Sequence, residues 1–149
     1  MKRKKICVVG SGNWGLNHVK TLSSLGSLGG IVETDLVRLN ELRIEFPKCD
    51  FHSNLDSALK KDFDAFIIAT PAPTHYELAY KVISNQRSLL VEKPLTLDYK
   101  SSIELCKLAE KMGVQFMVGH VLLFHPAFQK MKKMISQGKL GNIQYIYSN

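Results

Sequence analysis

The chain has no Cys-x-x-Cys pair: its three cysteines, Cys7, Cys49 and Cys106, are odd in number and scattered. That spacing excludes a thiolate zinc site and a disulfide framework, so no metal is expected and the thiols are expected reduced, as in a cytoplasmic protein. No apolar run reaches the roughly 18 to 20 residues a membrane-spanning helix needs, so no membrane partner is expected. The basic cluster at residues 2–5 is followed by only a short apolar stretch ending at Gly10. It reads as a first strand and not as a signal peptide. Internal repeats and low-complexity segments are absent, as are a Ser-His-Asp arrangement and a P-loop.

Acidic charge is scarce: 13 Asp and Glu face 20 Lys and Arg, a formal net charge of +7. Such a balance suits nucleic acid, but the basic residues are spread along the chain and no basic-aromatic pattern accompanies them. No nucleic-acid partner is expected. A solvated face accounts for most of the charge, and attraction of a phosphate-bearing cofactor or substrate is the functional reading. The composition is otherwise ordinary, and 149 residues suffice for one domain with a sizeable core.

What is present is alternation. Residues 5–9 read as a strand, 13–25 as a helix, and 29–32 as a weaker strand. Leu39, Leu42 and Phe46 mark the next helix, which Pro47 ends. Residues 65–69 form a continuous apolar strand, as in a parallel sheet covered on both faces. Pro71 and Pro73 break the chain, and Thr74 is placed to cap a helix with Leu78, Ala79 and Val82 inward. Residues 88–91 are a further strand. Leu105, Leu108, Ala109 and Met112 form a helical stripe stopped by Gly113, and residues 114–118 return to strand. Phe124, Phe128, Met131 and Ile135 mark a last helix, and residues 142–149 alternate like a strand. Repeated β-α alternation predicts an α/β fold with a doubly wound parallel sheet, a Rossmann dinucleotide-binding fold.

The segment Gly10-Ser11-Gly12-Asn13-Trp14-Gly15 matches G-x-G-x-x-G. It follows a predicted strand and opens a predicted helix, the context that gives this motif meaning. Gly10 permits a tight turn, Gly12 admits a pyrophosphate close to backbone, and Gly15 lets helix and strand approach. The helix amino end favours phosphate charge. Glu33 follows the second strand, 18 positions after Gly15. A carboxylate there accepts hydrogen bonds from ribose hydroxyls and repels a 2′-phosphate, so NAD is expected, with NADP second. Asp35 is close enough to compete, although it better suits capping the next helix, and Arg38 would soften the discrimination.

The loop Thr70-Pro71-Ala72-Pro73-Thr74-His75 leaves a buried strand at the edge that carries the glycine loop. Thr70, Thr74 and His75 offer hydrogen bonds to a cofactor ribose or nicotinamide, against ordinary turn and cap chemistry. Glu92-Lys93-Pro94 closes the next strand at the same edge. A lysine buried beside a cofactor loses basicity and becomes a usable proton donor or acceptor. Pro94 would aim the turn, and Glu92 would orient Lys93 or bind the cofactor. His120, ending the following strand, is a candidate for contact with nicotinamide or substrate. His125 reads as structural, and His18 and His52 have no distinguishing context.

Together the glycine loop, Ala69-Thr70-Pro71 with Thr74-His75, and Glu92-Lys93-Pro94 resemble the glucose-fructose oxidoreductase, inositol dehydrogenase and rhizopine catabolism family, Gfo/Idh/MocA. The resemblance covers essentially the whole chain. Residues 119–128, 138–141 and 145–149 are similar to members acting on nucleotide sugars, of the UDP-N-acetylglucosamine 3-dehydrogenase type. The resemblance implies an NAD(P)-dependent oxidoreductase that moves hydride between nicotinamide and a sugar or nucleotide-sugar hydroxyl carbon. Residues 10–15, Glu33, Thr70, Pro71, Thr74, His75, Glu92, Lys93 and His120 would bind the cofactor. Lys93 would hydrogen-bond the reacting hydroxyl.

Two features depart from the family pattern. Glu33 stands where many members have Asp. Members also run on into a second α/β domain that supplies most substrate contacts and a histidine working with the lysine. The expected organisation is an NAD-binding domain over 1–120, then a linking helix and first strand of the second domain over 121–149, that domain being essentially absent. The chain is therefore expected to bind NAD(H) without turning over sugar by itself, and a full-length form to be a homo-oligomer. The competing expectation is a non-enzymatic NAD-binding sensor or scaffold, which would keep the glycine loop and Glu33 but not need Lys93.

Overall fold

The computed structural model describes residues 3–147. Two compact units divide the chain, Met1–Gly119 and His120–Asn149.

In the first unit six strands alternate with helices: β1 Ile6–Val9, α1 Asn13–Ser24, β2 Leu28–Val32, α2 Leu36–Glu45, β3 Asp50–His52 and α3 Leu55–Leu59. Then follow β4 Ala65–Ile68, α4 His75–Ser84, β5 Ser88–Val91, α5 Tyr99–Met112 and β6 Phe116–Val118. All neighbouring strands pair in parallel, in the order β3-β2-β1-β4-β5-β6. This is the doubly wound arrangement expected from the alternation.

The period of two along each strand assigns the faces. Val8, Ile31 and Ile67 point to one side and pack with Val19 and Leu22 of α1 and Leu42 of α2. Cys7, Val9, Val32, Phe66, Ile68, Leu89 and Val91 point to the other. There they meet Leu55 and Ala58 of α3, Ala79, Val82 and Ile83 of α4, and Leu105 and Ala109 of α5. Each large apolar side chain buried this way contributes about 1.5–3 kcal/mol. Helix starts are set by short polar side chains: Asp35, Asn54 and Asp98 each accept backbone N–H groups of the helix they precede. Gly113 ends α5 in the left-handed region at φ 66.

The sequence pattern missed β3 and α3, three and five residues long. Neither is long enough to display a period. Tertiary pairing with β2 makes the first, and the Asn54 cap starts the second. The weakness of β2 as a pattern has a packing cause. A Cβ on Gly30 would lie 2.6 Å from Cζ of Phe63, whose ring occupies that space.

The second unit holds a 3-10 turn, Val121–Phe124, and α6, Pro126–Ser136. His125 caps α6, its Nδ1 accepting the Ala127 N–H at 3.3 Å. Phe124 belongs to the turn and not to the helix, because Pro126 fits the first helical position and ends the preceding turn. The strand expected over 142–149 does not form over 142–147, and the remainder of that stretch, Ser148 and Asn149, lies outside the described residues. Alternation alone makes no strand without a partner backbone. Among the described residues, no helix is long and apolar enough to cross a membrane.

Candidate functional site

β1 and β4 are neighbours whose following helices lie on opposite faces of the sheet. Chain connections therefore diverge at their carboxyl ends and leave a crevice, the place where open α/β sheets hold ligands. A cleft of about 850 Å³ opens there, lined by the glycine loop, the end of β2 and the loops after β4 and β5.

The glycines of the loop have separate reasons. Gly10 has φ +87, and a Cβ on it would lie 2.7 Å from Thr70 Cγ2 and 2.9 Å from the Ala69 carbonyl oxygen. A Cβ on Gly15 would lie 2.0 Å from the Gly10 carbonyl oxygen, so the first turn of α1 packs directly on the loop backbone. Gly12 is different: nothing lies within 4 Å of its Cβ position, so the space there is left open for a ligand. No side chain caps α1, and no acidic residue sits in its first turn. Its positive end is left for an anion. Asn13 and Trp14 line the cleft, with Trp14 55% exposed.

Glu33 is anchored to this loop. Its Oε2 accepts the Ser11 backbone N–H at 3.0 Å and the Ser11 hydroxyl, and its Oε1 accepts the Asp35 N–H at 3.1 Å. Burial alone would raise the carboxyl pKa, but these hydrogen bonds from Ser11 and Asp35 outweigh it and hold the group below its ordinary value. Asp35 is committed to α2, accepting from Val37 and Arg38 N–H groups. Arg38 turns its guanidinium back to the loop, donating through Nε and Nη2 to the Ser11 carbonyl at 2.9 and 2.7 Å.

The loop after β4 uses its polar groups mostly on itself. The Thr74 hydroxyl donates to the Pro71 carbonyl at 2.8 Å, so its 2.7 Å partner, the Thr70 hydroxyl, is the donor between the two. Thr74 stands at the start of α4 without capping it, contrary to the expectation from sequence. The reason is that the 3-10 turn Ala72–Thr74 already delivers the chain in helical geometry. Thr70, Pro71 and Thr74 do line the cleft. His75 does not offer itself to a ligand: it is 1% exposed, with Nδ1 2.7 Å from the Pro94 carbonyl oxygen and Nε2 2.8 Å from that of Thr70. Its two nitrogens face carbonyl oxygens of the loops after β4 and β5, and the ring N–H donates to one of them.

Glu92 and Lys93 line the other end of the cleft. Lys93 is exposed, not buried as its proton-handling role would suggest, and its peptide bond to Pro94 is cis. Glu92 is largely buried. Its Oε1 is 2.8 Å from Nε2 of His18 on α1, and its Oε2 accepts the Lys93 backbone N–H at 3.3 Å. His18 therefore has a context that no sequence-local feature revealed, since its partner is 74 residues away. His120 lies in the second unit, at the residue before its 3-10 turn.

Sequence reasoning also missed Asn54, Leu55 and Asp56 after β3, and Glu77, Leu78 and Lys81 on α4, all lining the cleft near the end of β2. Lys81 lies 3.7 Å from Asp56 and 3.5 Å from Glu77. Asn54 had a readable signal, a short polar residue before a helix-forming stretch. Among the described residues no group of three His, Cys, Asp or Glu side chains is placed to hold a metal ion.

These residues fit a dinucleotide. An uncapped helix start, an open Gly12 and an anionic Glu33 lie at one end, and a lysine lies three strands away. At strand spacings near 4.8 Å, the ends of β2 and β5 stand about 14 Å apart, a span for two linked nucleotides.

Comparison with known proteins agrees. Over 146 residues the chain is 30% identical to inositol 2-dehydrogenase of Mycolicibacterium smegmatis, covering 95% of this chain and 42% of that protein. It is 29% identical over 126 residues to UDP-N-acetylglucosamine 3-dehydrogenase of Acidithiobacillus ferrooxidans, covering 85% of this chain and 40% of that one. The WlbA dehydrogenase of Bordetella pertussis, solved with NADH and UDP-GlcNAcA, superposes with a TM-score of 0.88 at 26% identity, over 95% of this chain and 44% of that one. The chain thus spans about two fifths of the length of the relatives it matches. The sequence profile of the Gfo/Idh/MocA oxidoreductases, described as an oxidoreductase family with an NAD-binding Rossmann fold, matches residues 4–120. The chain belongs to this family and carries its NAD-binding Rossmann fold.

Proposed function

We propose that the chain is the cofactor-binding part of an NAD-dependent oxidoreductase acting on a hydroxyl-bearing carbon of a cyclic polyol or nucleotide sugar. The observation that carries this reading is the placement of Lys93 at the rim of a dinucleotide cleft whose opposite end holds the anionic Glu33. In this reading residues 10–15 cradle the pyrophosphate, with Gly12 admitting it and the start of α1 favouring its charge. Glu33 accepts from the adenosine ribose hydroxyls and, being anionic, rejects a 2′-phosphate. Thr70 and Pro71 wall the middle of the cleft, and Glu92 its far end. His75 supports the site by bracing it and does not touch the cofactor. His120, in the second unit, keeps its place in this reading as a candidate for contact with nicotinamide or substrate. When bound, the cofactor supplies the hydride acceptor or donor. Lys93 hydrogen-bonds the reacting hydroxyl oxygen and takes or returns its proton.

The names of the relatives support the substrate class. Inositol and UDP-N-acetylglucosamine share a ring of vicinal hydroxyls, and one lysine amine can hold either. In this reading the chain by itself binds NADH without oxidising sugar, because Lys93 stands open to solvent at the rim of the cleft.

Calorimetric titration with NADH and NADPH tests the cofactor, with tighter NADH binding expected. Steady NAD reduction by the 149-residue chain with myo-inositol or UDP-N-acetylglucosamine would overturn its inactivity. In a longer form that does turn over a sugar, Lys93→Ala lowers the rate by about 10²-fold or more while NADH affinity is kept. An unchanged rate would remove Lys93 from the chemistry and leave the sensor or scaffold reading.

A further inference from the structure

We infer that His18 is a positioning residue: it holds the Glu92 carboxylate in place at the lysine end of the cleft and so keeps Lys93 free for the reacting hydroxyl. The inference rests on the reading of the cleft as an NAD site.

Two hydrogen bonds fix the Glu92 carboxylate. His18 Nε2 lies 2.8 Å from Oε1, and the Lys93 backbone N–H reaches Oε2 at 3.3 Å. From the opposite side, a Cβ on Gly119 would lie 3.0 to 3.1 Å from the carboxylate atoms, so a larger residue at the end of β6 would press on the acid. The acid is thereby packed between α1 and β6, with 15% of its side chain exposed and 25% of that of His18.

A carboxylate so far removed from water needs donors. Its neighbour in sequence is Lys93, whose ammonium group is a donor suited to a carboxylate. With His18 in place, Oε1 is occupied and the ammonium group has no call to fold back. Without His18, Oε1 has to find another donor, and pairing with Lys93 would draw the amine away from the substrate position. His18 lies one helical turn beyond Gly15, on the helix whose start faces the pyrophosphate. One rigid helix thus sets both the phosphate end and the acid beside the lysine. On the far side of Lys93, His75 fixes the Pro94 carbonyl from α4. The residues before and after the lysine are each held by a histidine of a different helix.

The test separates this role from simple support of α1. Affinities for NADH and for ADP, which lacks the nicotinamide half, are measured on the unaltered chain and on His18→Ala, His18→Gln and Gly119→Ala. With Glu92 released from its place at the far wall of the cleft by loss of a charge-assisted hydrogen bond, NADH binding by His18→Ala weakens about tenfold, with ADP binding changed less than about twofold. His18→Gln, whose amide N–H can reach the same oxygen, restores most of the loss. Gly119→Ala pushes on the same carboxylate from β6 with α1 untouched, and gives the same NADH-selective loss even where His18→Ala does not fold. Equal weakening of NADH and ADP overturns the inference, as does NADH affinity unchanged in both Ala variants. An unaltered chain that binds no NADH overturns the NAD reading and this inference with it.

Discussion

Glu33 is bonded to Ser11 twice, through the Ser11 backbone N–H at 3.0 Å and through its hydroxyl. The acid proposed to select the cofactor is therefore held by the loop proposed to bind its phosphates. Arg38 completes the link by donating to the Ser11 carbonyl. Glu33→Arg should invert the local charge and release the loop. NAD affinity is expected to fall by about tenfold or more relative to NADP, since removal of the acid takes away both the ribose acceptor and the repulsion of a 2′-phosphate. Glu33→Ser should move the ratio in the same direction by less. Calorimetry with both cofactors reads the ratio, and an unchanged preference refutes the role of Glu33.

Gly12 and Gly15 should separate binding from folding. Gly15→Ala places a methyl 2.0 Å from a backbone oxygen, which no rotamer relieves. A melting temperature lowered by several degrees, or failure to fold, is expected, as for overpacking of about 1–3 kcal/mol or more. Gly12→Ala meets nothing within 4 Å and has ordinary backbone angles, φ −60 and ψ −168. Its melting temperature should stay within about 2 °C while NADH affinity falls by tenfold or so, because the added methyl occupies space the pyrophosphate needs.

His52 should make the chain acid-sensitive. It is 8% exposed, its Nδ1 is 3.2 Å from the Ser57 hydroxyl, and its buried Nε2 has no partner among the described residues. Burial, reinforced by Lys61 and opposed by Asp50, holds its pKa below the ordinary 6.5. The folded state keeps the ring neutral, whereas the unfolded chain takes up a proton near that ordinary value. The stability His52 contributes is complete above it and is lost as pH falls through the depressed folded value. Thermal melts between about pH 7 and pH 5 should show a falling midpoint that His52→Leu flattens. Because Asn54 and Leu55 follow directly and line the cleft, NADH affinity should weaken over the same range.

The three thiols should react in the order of their exposure. Cys106 is exposed on α5 and should be modified first by a disulfide reagent. Cys49 is half-buried, its pKa pushed up to about 11 by burial and by Asp50, and should follow slowly. Cys7 is 0% exposed in the core of the sheet and its pKa is raised further, chiefly by burial. It should react only on unfolding. Timed alkylation and mass spectrometry would show the order, and rapid labelling of Cys7 would contradict the packing of β1.

Much of the fold was legible because its signals are local. Val8, Ile67 and Val91 sit in apolar runs that suit a sheet covered on both faces, and Gly113 stops α5 in the left-handed conformation that glycine adopts without penalty. Asp35 was readable as a cap and Glu33 as the remaining acid for the same reason: each role is settled within a few residues. β3 was not legible, because three residues carry no period and their strand exists only through hydrogen bonds from β2. Over 142–147 the expected strand missed in the opposite direction, a pattern without a partner.

By itself, then, the sequence determined the alternation of strands and helices, the glycine loop and the presence of a lysine at a strand end. These depend on backbone conformation and hydrophobic period, which each segment carries within itself. Tertiary structure alone decided what the side chains at that edge do. His75 was expected at the ligand and is spent on Thr70 and Pro94; His18 had no context and holds Glu92. Hydrogen-bond partners are chosen by proximity in space, and residues 74 positions apart become neighbours only when the sheet brings α1 to the end of β5.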